Sequence, residues 1–123
     1  MGTGTVSTYR GDYTFQSADD VINFIRTAAP ENNDVWISGE QPYPCIAVCI
    51  NGEYAAVNFF QNDIGEMWLS YNDKNQKEVT FMAGGDEWSP DIDAIIALND
   101  AFSCIREFLD TLERPSCIQW QKL

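Results

Sequence analysis

Residues 44–60 read PCIAVCINGEYAAVNFF. Two apolar runs flank Asn51-Gly52, the dipeptide a type I′ turn prefers because both of its central residues need positive φ. The pattern predicts an antiparallel hairpin of residues 44–50 and 53–60. Residues 45–50 are apolar at every position, so both faces of this strand are covered and it belongs in the middle of a sheet. Two further strands follow, EMWLSY (66–71) and KEVTFMA (77–83), separated by the turn-rich NDKNQ (72–76). Upstream, VWIS (35–38) reads as a short strand after the loop ENND (31–34).

Two helices frame these strands. Ser17 is a good N-cap for a helix beginning at Ala18, with Asp19 and Asp20 in the first turn where the helix dipole favours them. Val21, Ile22, Ile25 and Ala28 make one apolar face, and Pro30 forbids continuation. Near the C-terminus, Leu98, Ala101, Phe102, Ile105, Phe108, Leu109 and Leu112 keep helical spacing without a miss. Asn99 is the expected cap there, and Glu113-Arg114-Pro115 the expected stop, because the residue before proline is pushed out of the α region. The chain then returns as SCIQW (116–120). Cys117 and Gln119 point one way and Ile118 and Trp120 the other, so this strand is half buried and pins the terminus. The expectation is one α+β domain over residues 1–123: a mostly antiparallel β-sheet with two helices packed on it, the C-terminal helix followed by a final strand. Residues 1–12 are expected to form a flexible lead-in.

Composition narrows the chemistry. A chain of 123 residues buries enough surface to fold without staples. Nineteen acidic residues against seven basic ones give a net charge of -12. That field repels nucleic acid and anionic membranes and attracts basic partners, although solubility alone would also account for it. No apolar run approaches the ~20 residues that span a bilayer, and the first residues lack the regions of a secretory signal. A cytoplasmic protein is expected.

There is no histidine, which removes Ser-His-Asp and Cys-His nucleophiles and His-ligated zinc. Gly84-Gly85 reads as a turn, not as a phosphate-binding loop. The stretch GEQPYPCIAVC (39–49) faintly resembles a zinc-deaminase signature. Ser38 stands where the first ligand belongs, however, and Cys45 and Cys49 lie ~13 Å apart along one strand face, too far to share an ion or a disulfide. Cys104 and Cys117 read as small buried hydrophobes. No cofactor and no metal are expected.

Carboxylate pairs could still do acid–base work. Asp86 with Glu87, and Asp91 with Asp93, are the candidates, all expected in the loop before the second helix, where a solvated acidic loop is the simpler reading. Trp36, Trp68 and Trp120 fall in strands and read as core. Trp88, in GGDEWSPDID (84–93), has two readings: an exposed interface anchor ringed by carboxylates, or a ring folded back onto the sheet.

Together these residues carry a resemblance. The run FLDTLERPSCIQW (108–120), with YPCIAVCINGEYAAVNFF (43–60) and DIGE (63–66), resembles bacterial immunity proteins of the first numbered family among polymorphic-toxin immunity proteins. Residues 43–123 carry the likeness, which is close to immunity proteins of double-stranded-DNA cytosine deaminase toxins. Glu113 departs from the glycine that many members place before Arg-Pro. The resemblance implies an antitoxin that binds a toxin domain, often a nucleic acid deaminase, in a one-to-one complex and blocks it without chemistry. It also implies that Gly65, Glu66, Arg114, Pro115 and Trp120 are structural. Charge and loop position put the toxin-binding surface at Asp63, Asp86, Glu87, Trp88, Asp91 and Asp93. A small acidic α+β ligand-binding or adaptor domain is the alternative, and a carboxylate-based hydrolase a distant third.

Overall fold

Two short strands, β1 (Gly4–Thr8) and β2 (Gly11–Phe15), lead through Ser17 into helix α1 (Ala18–Ala28) in the computed structural model, which describes residues 4–8, 11–28 and 33–123. The cap forms as the sequence predicts: the Asp20 N–H donates to Ser17 Oγ at 3.1 Å and the Val21 N–H to Ser17 O at 3.3 Å. Val21, Ile22 and Ile25 are buried, while Pro30 and the Ala28 side chain lie outside the described residues. Of the stretch 1–12, expected as a flexible lead-in, residues 4–8, 11 and 12 lie in β1 and β2, and the rest lie outside the described residues. Val6 is fully buried, and β1 pairs with β2 on one side and with β3 (Asn33–Ser38) on the other. Strand β3 starts two residues earlier than expected.

The hairpin forms from β4 (Cys45–Asn51) and β5 (Tyr54–Phe60). Its turn differs from the expectation. Asn51 pairs with Tyr54, so the two loop residues are Gly52 and Glu53. Only the first has positive φ, at 62°, which is the pattern of a type II′ turn with glycine leading. Asn51 stays in the strand and its Nδ2 donates to Thr80 O at 2.8 Å. The double-positive pattern appears at Gly84-Gly85 instead (φ 61° and 90°), between β7 (Phe81–Ala83) and β8 (Asp86–Trp88). The expected strand 77–83 therefore shortens to its last three residues, and Asp86, Glu87 and Trp88 lie in a strand rather than a loop.

Strand β6 (Met67–Tyr71) pairs with β5, as does the short β9 (Ile96–Ala97), and β10 (Gln119–Lys122) closes the far edge on β6. The main sheet runs β10-β6-β5-β4-β3-β1-β2, antiparallel at every described pairing, with β4 in the middle. Helix α2 (Leu98–Thr111) begins directly after β9. Asn99 is not its cap: Ala97 holds that place without a side-chain bond, and the Leu98 N–H donates to Glu53 O at 2.8 Å. The helix ends before Glu113, with Leu112 in the left-handed region (φ 56°) and 43% exposed rather than in the apolar stripe.

Both helices pack on one face of the sheet. Ile22 and Ile25 of α1 and Phe102, Ile105 and Phe108 of α2 meet Ile46, Val48, Val57 and Phe59 in one core. On the opposite face the β7–β8 hairpin packs over β3 and β4, and Phe81, Val79 and Ile95 join Cys49 and Ala56 in a second, smaller core. Among the described residues no helix is long and apolar enough to cross a membrane. The terminal strand begins at Gln119, three residues later than expected; Ile118 before it and Trp120 within it pack against the larger core, while Cys117, expected to be buried, is exposed. Its Sγ lies 3.5 Å from that of buried Cys104, and all four cysteines are free.

Candidate functional site

The β7–β8 hairpin covers only part of the second sheet face. Beyond it lies an open groove of about 490 Å³ whose floor is formed by Ala47, Cys49 and Asn58. Strand alternation explains the small floor. Residues 46, 48 and 50 point their bulk toward the helices, which leaves Ala47 and Cys49 for the other side.

One wall is aromatic. Trp36 stands on β3 and Phe60 on β5, with ring centroids 5.2 Å apart and planes 13° from parallel. Trp36 was read as core from the sequence, yet it is 42% exposed. It shares a face with Asp34 and Ser38, while Val35 and Ile37 take the buried face. Its Nε1 donates to Asp34 Oδ2 at 3.1 Å, and that oxygen also accepts from the Gly84 N–H at 3.3 Å. Asp34 thus ties the Trp36 indole and the tip of the hairpin to one carboxylate.

The opposite wall is Ala83 to Trp88. Trp88 meets both of its expected readings halfway: it is half-buried, its ring 6.3 Å from Phe81 in the second core, and it still lines the groove. Asp86 and Glu87 are exposed beside it. With Asp34 they give the groove three carboxylates, and no lysine or arginine is found among its described lining residues.

The other expected contact residues lie elsewhere. Asp63 sits exposed in the loop between β5 and β6, next to Ile64, which is 81% exposed. Asp91 precedes the 3₁₀ turn Ile92–Ala94, Asp93 lies within it, and both line a separate cleft with Glu78 and Ser89. That turn is held by the 72–77 segment: the Asn72 N–H donates to Asp93 O at 2.5 Å, and Asn75 Nδ2 donates to Ile92 O at 2.7 Å. The fold thus gathers Asp86, Glu87 and Trp88 at one groove and leaves Asp63, Asp91 and Asp93 outside it. Trp36, expected in the core, joins the groove with Phe60 and Asp34, which the sequence did not single out. The signal was present in the alternation of NDVWIS (33–38), which puts Trp36 on the polar side once the strand starts at Asn33.

The residues of the resemblance make local contacts. Glu66 O accepts from the Gln61 N–H at 2.9 Å and its Oε2 from Asn62 Nδ2 at 2.7 Å, closing the β5–β6 loop around Gly65. The Arg114 guanidinium lies 4.7 Å from the centre of the Trp68 ring. Trp120 Nε1 donates to Pro115 O at 2.7 Å, and Pro115 is buried. Trp68 and Trp120 are both partly buried and pack on the larger core.

The four thiols are shifted in one direction. Burial pushes the Cys45 thiol up to about 11 and Cys49 to about 12, the latter helped by the Asp34 charge. Burial also raises Cys104 and Cys117. Such thiols stay protonated at neutral pH and are poor nucleophiles.

The family described as Immunity protein Imm1 has a model that matches residues 10–122 of this chain. Among curated proteins, none matches it.

Proposed function

The chain belongs to the Imm1 immunity-protein family, and on that premise we propose what its toxin is and where the toxin sits. A member of this family binds a cognate toxin and neutralises it without itself being an enzyme. The proposed toxin is a nucleic acid deaminase, on the likeness of FLDTLERPSCIQW (108–120) to immunity proteins of double-stranded-DNA cytosine deaminase toxins. Enzymes that act on nucleic acid need a basic cleft for the phosphate backbone, and a partner of charge -12 is drawn to that cleft. The complex is one-to-one, forms in the cytoplasm from a single-domain chain, and occludes the substrate cleft without touching nucleic acid or membrane.

The observation that carries this reading is the groove, where Asp86, Glu87 and Trp88 stand together on one rigid strand pair. Asp63 on its loop and Asp91 and Asp93 in the neighbouring cleft extend the proposed contact surface. The test is co-expression with the toxin domain encoded beside this chain. Wild-type protein should rescue growth, and the purified pair should elute as a heterodimer with deaminase activity on DNA suppressed. A rescued toxin that turns out to be a nuclease or a protease would retire the deaminase assignment and leave the immunity function standing.

A further inference from the structure

We infer that the groove over Ala47 and Asn58 receives a cationic side chain, arginine or lysine, projected by the cognate toxin. This rests on the immunity reading above and adds to it the chemistry of one contact. The groove offers flat aromatic surface on both walls, Trp36 stacked on Phe60 and Trp88 backed by Phe81. Its charged members are all carboxylates: Asp34, Asp86 and Glu87. Aromatic faces attract cations through the ring quadrupole, best at tryptophan. A guanidinium can also stack on an indole while forking to a carboxylate. An anion would be repelled here, and a purely apolar group would strip water from three carboxylates without replacing it.

The chain uses this chemistry within itself. Arg114 and Lys122 lie over the Trp68 ring, Arg26 over Phe102 and Lys77 over Tyr54, at 4.7, 5.5, 5.0 and 4.8 Å from the ring centres. Among the described residues none of these four cations lies over Trp36 or Trp88. The site is also built before the partner arrives. The bond from Trp36 Nε1 to Asp34 and the stack on Phe60 fix the indole plane, so little side-chain freedom is lost on binding.

Binding of the toxin domain encoded beside this chain, inactivated by a substitution at its catalytic residue, tests the inference by surface-immobilised kinetics. Trp36→Ala should raise Kd about 30-fold or more, as expected of a central aromatic anchor, chiefly through faster dissociation. The double variant Asp86→Asn with Glu87→Gln should raise Kd about tenfold while its thermal unfolding stays at the wild-type temperature. Both carboxylates are exposed, so this variant decides the matter if Trp36→Ala fails to fold. Wild-type affinity in the double variant, whatever Trp36→Ala does, would overturn the cation site and leave the immunity function intact. If the wild-type chain itself does not bind that domain, the partner assignment fails and the groove inference falls with it.

Discussion

Trp120 holds the terminal strand by both of its parts. Its ring meets Phe59 edge-on at 6.3 Å, and its Nε1 donates to Pro115 O, locking the Arg-Pro corner to β10. Trp120→Ala removes ring and bond together and should cost about 3 kcal/mol, the lower end for a tryptophan truncation because the ring is only partly buried. Trp120→Phe keeps most of the ring and should cost about 1 kcal/mol for the bond. Urea titrations check both, and an unchanged midpoint in the alanine variant would mean the terminus is not pinned. The buried thiols give a second expectation. Below pH 9.0 Cys45 and Cys49 are protonated whether the chain is folded or not, so their burial adds no pH dependence. Above it the unfolded chain ionises first, because the folded values are about 11 and 12. Stability is thus fully present below pH 9.0 and is lost as the pH climbs toward the folded values, by about 1 kcal/mol per site at pH 10. Cys49→Ala should show a shallower alkaline decline than wild type in denaturant titrations across that range. Equal slopes would count against it.

Among the elements, the junction at Ser70 is the most exposed to a single change. Strand β5 pairs with β9 at its start and with β6 at its end, and Ser70 bridges the place where one partner gives way to the other. Its Oγ accepts from the Val57 N–H at 3.0 Å and donates to Ala94 O at 2.6 Å, all of it buried. Ser70→Ala would leave a buried donor and a buried acceptor without partners, a loss of about 2–3 kcal/mol. Ser70→Thr keeps the hydroxyl and should recover part of it. Thermal unfolding of the two variants gives the comparison, and an alanine variant as stable as wild type would show that water fills the junction. The same junction delivers the chain into α2, whose first N–H is taken by Glu53 O rather than by a side-chain cap.

At the scale of the whole molecule the charge of -12 acts on approach more than on holding. The association rate with a basic toxin domain should fall on the order of tenfold as salt is raised from low to well above physiological strength, while dissociation changes less. Stopped-flow mixing across a salt series measures it, and a flat association rate would show that steering plays no part. Much of this molecule could be read along the chain. The hairpin of 45–60, the two helices and the half-buried terminal strand follow from periods of 2 and 3.6 residues and from local turn and cap preferences, and those act between residues close in sequence. Boundaries and caps differ where a distant partner intervenes: Glu53 O takes the first N–H of α2 in place of an Asn99 cap, and Asn51, its side chain bonded to Thr80 O, stays in β4 while the turn falls at Gly52-Glu53. The groove was not legible in the same way. Alternation in NDVWIS sets Trp36 on one face with Asp34 and Ser38, but a strand expected only from Val35 leaves Asp34 in the loop, so Trp36 reads as core. Sequence by itself determined the two helices, the central hairpin, the acidity and the family likeness of residues 43–123. Only tertiary packing decided that Trp36, Phe60 and Trp88 meet across three strands, because exposure depends on what lies over a face, and that is set by contacts far apart in the chain.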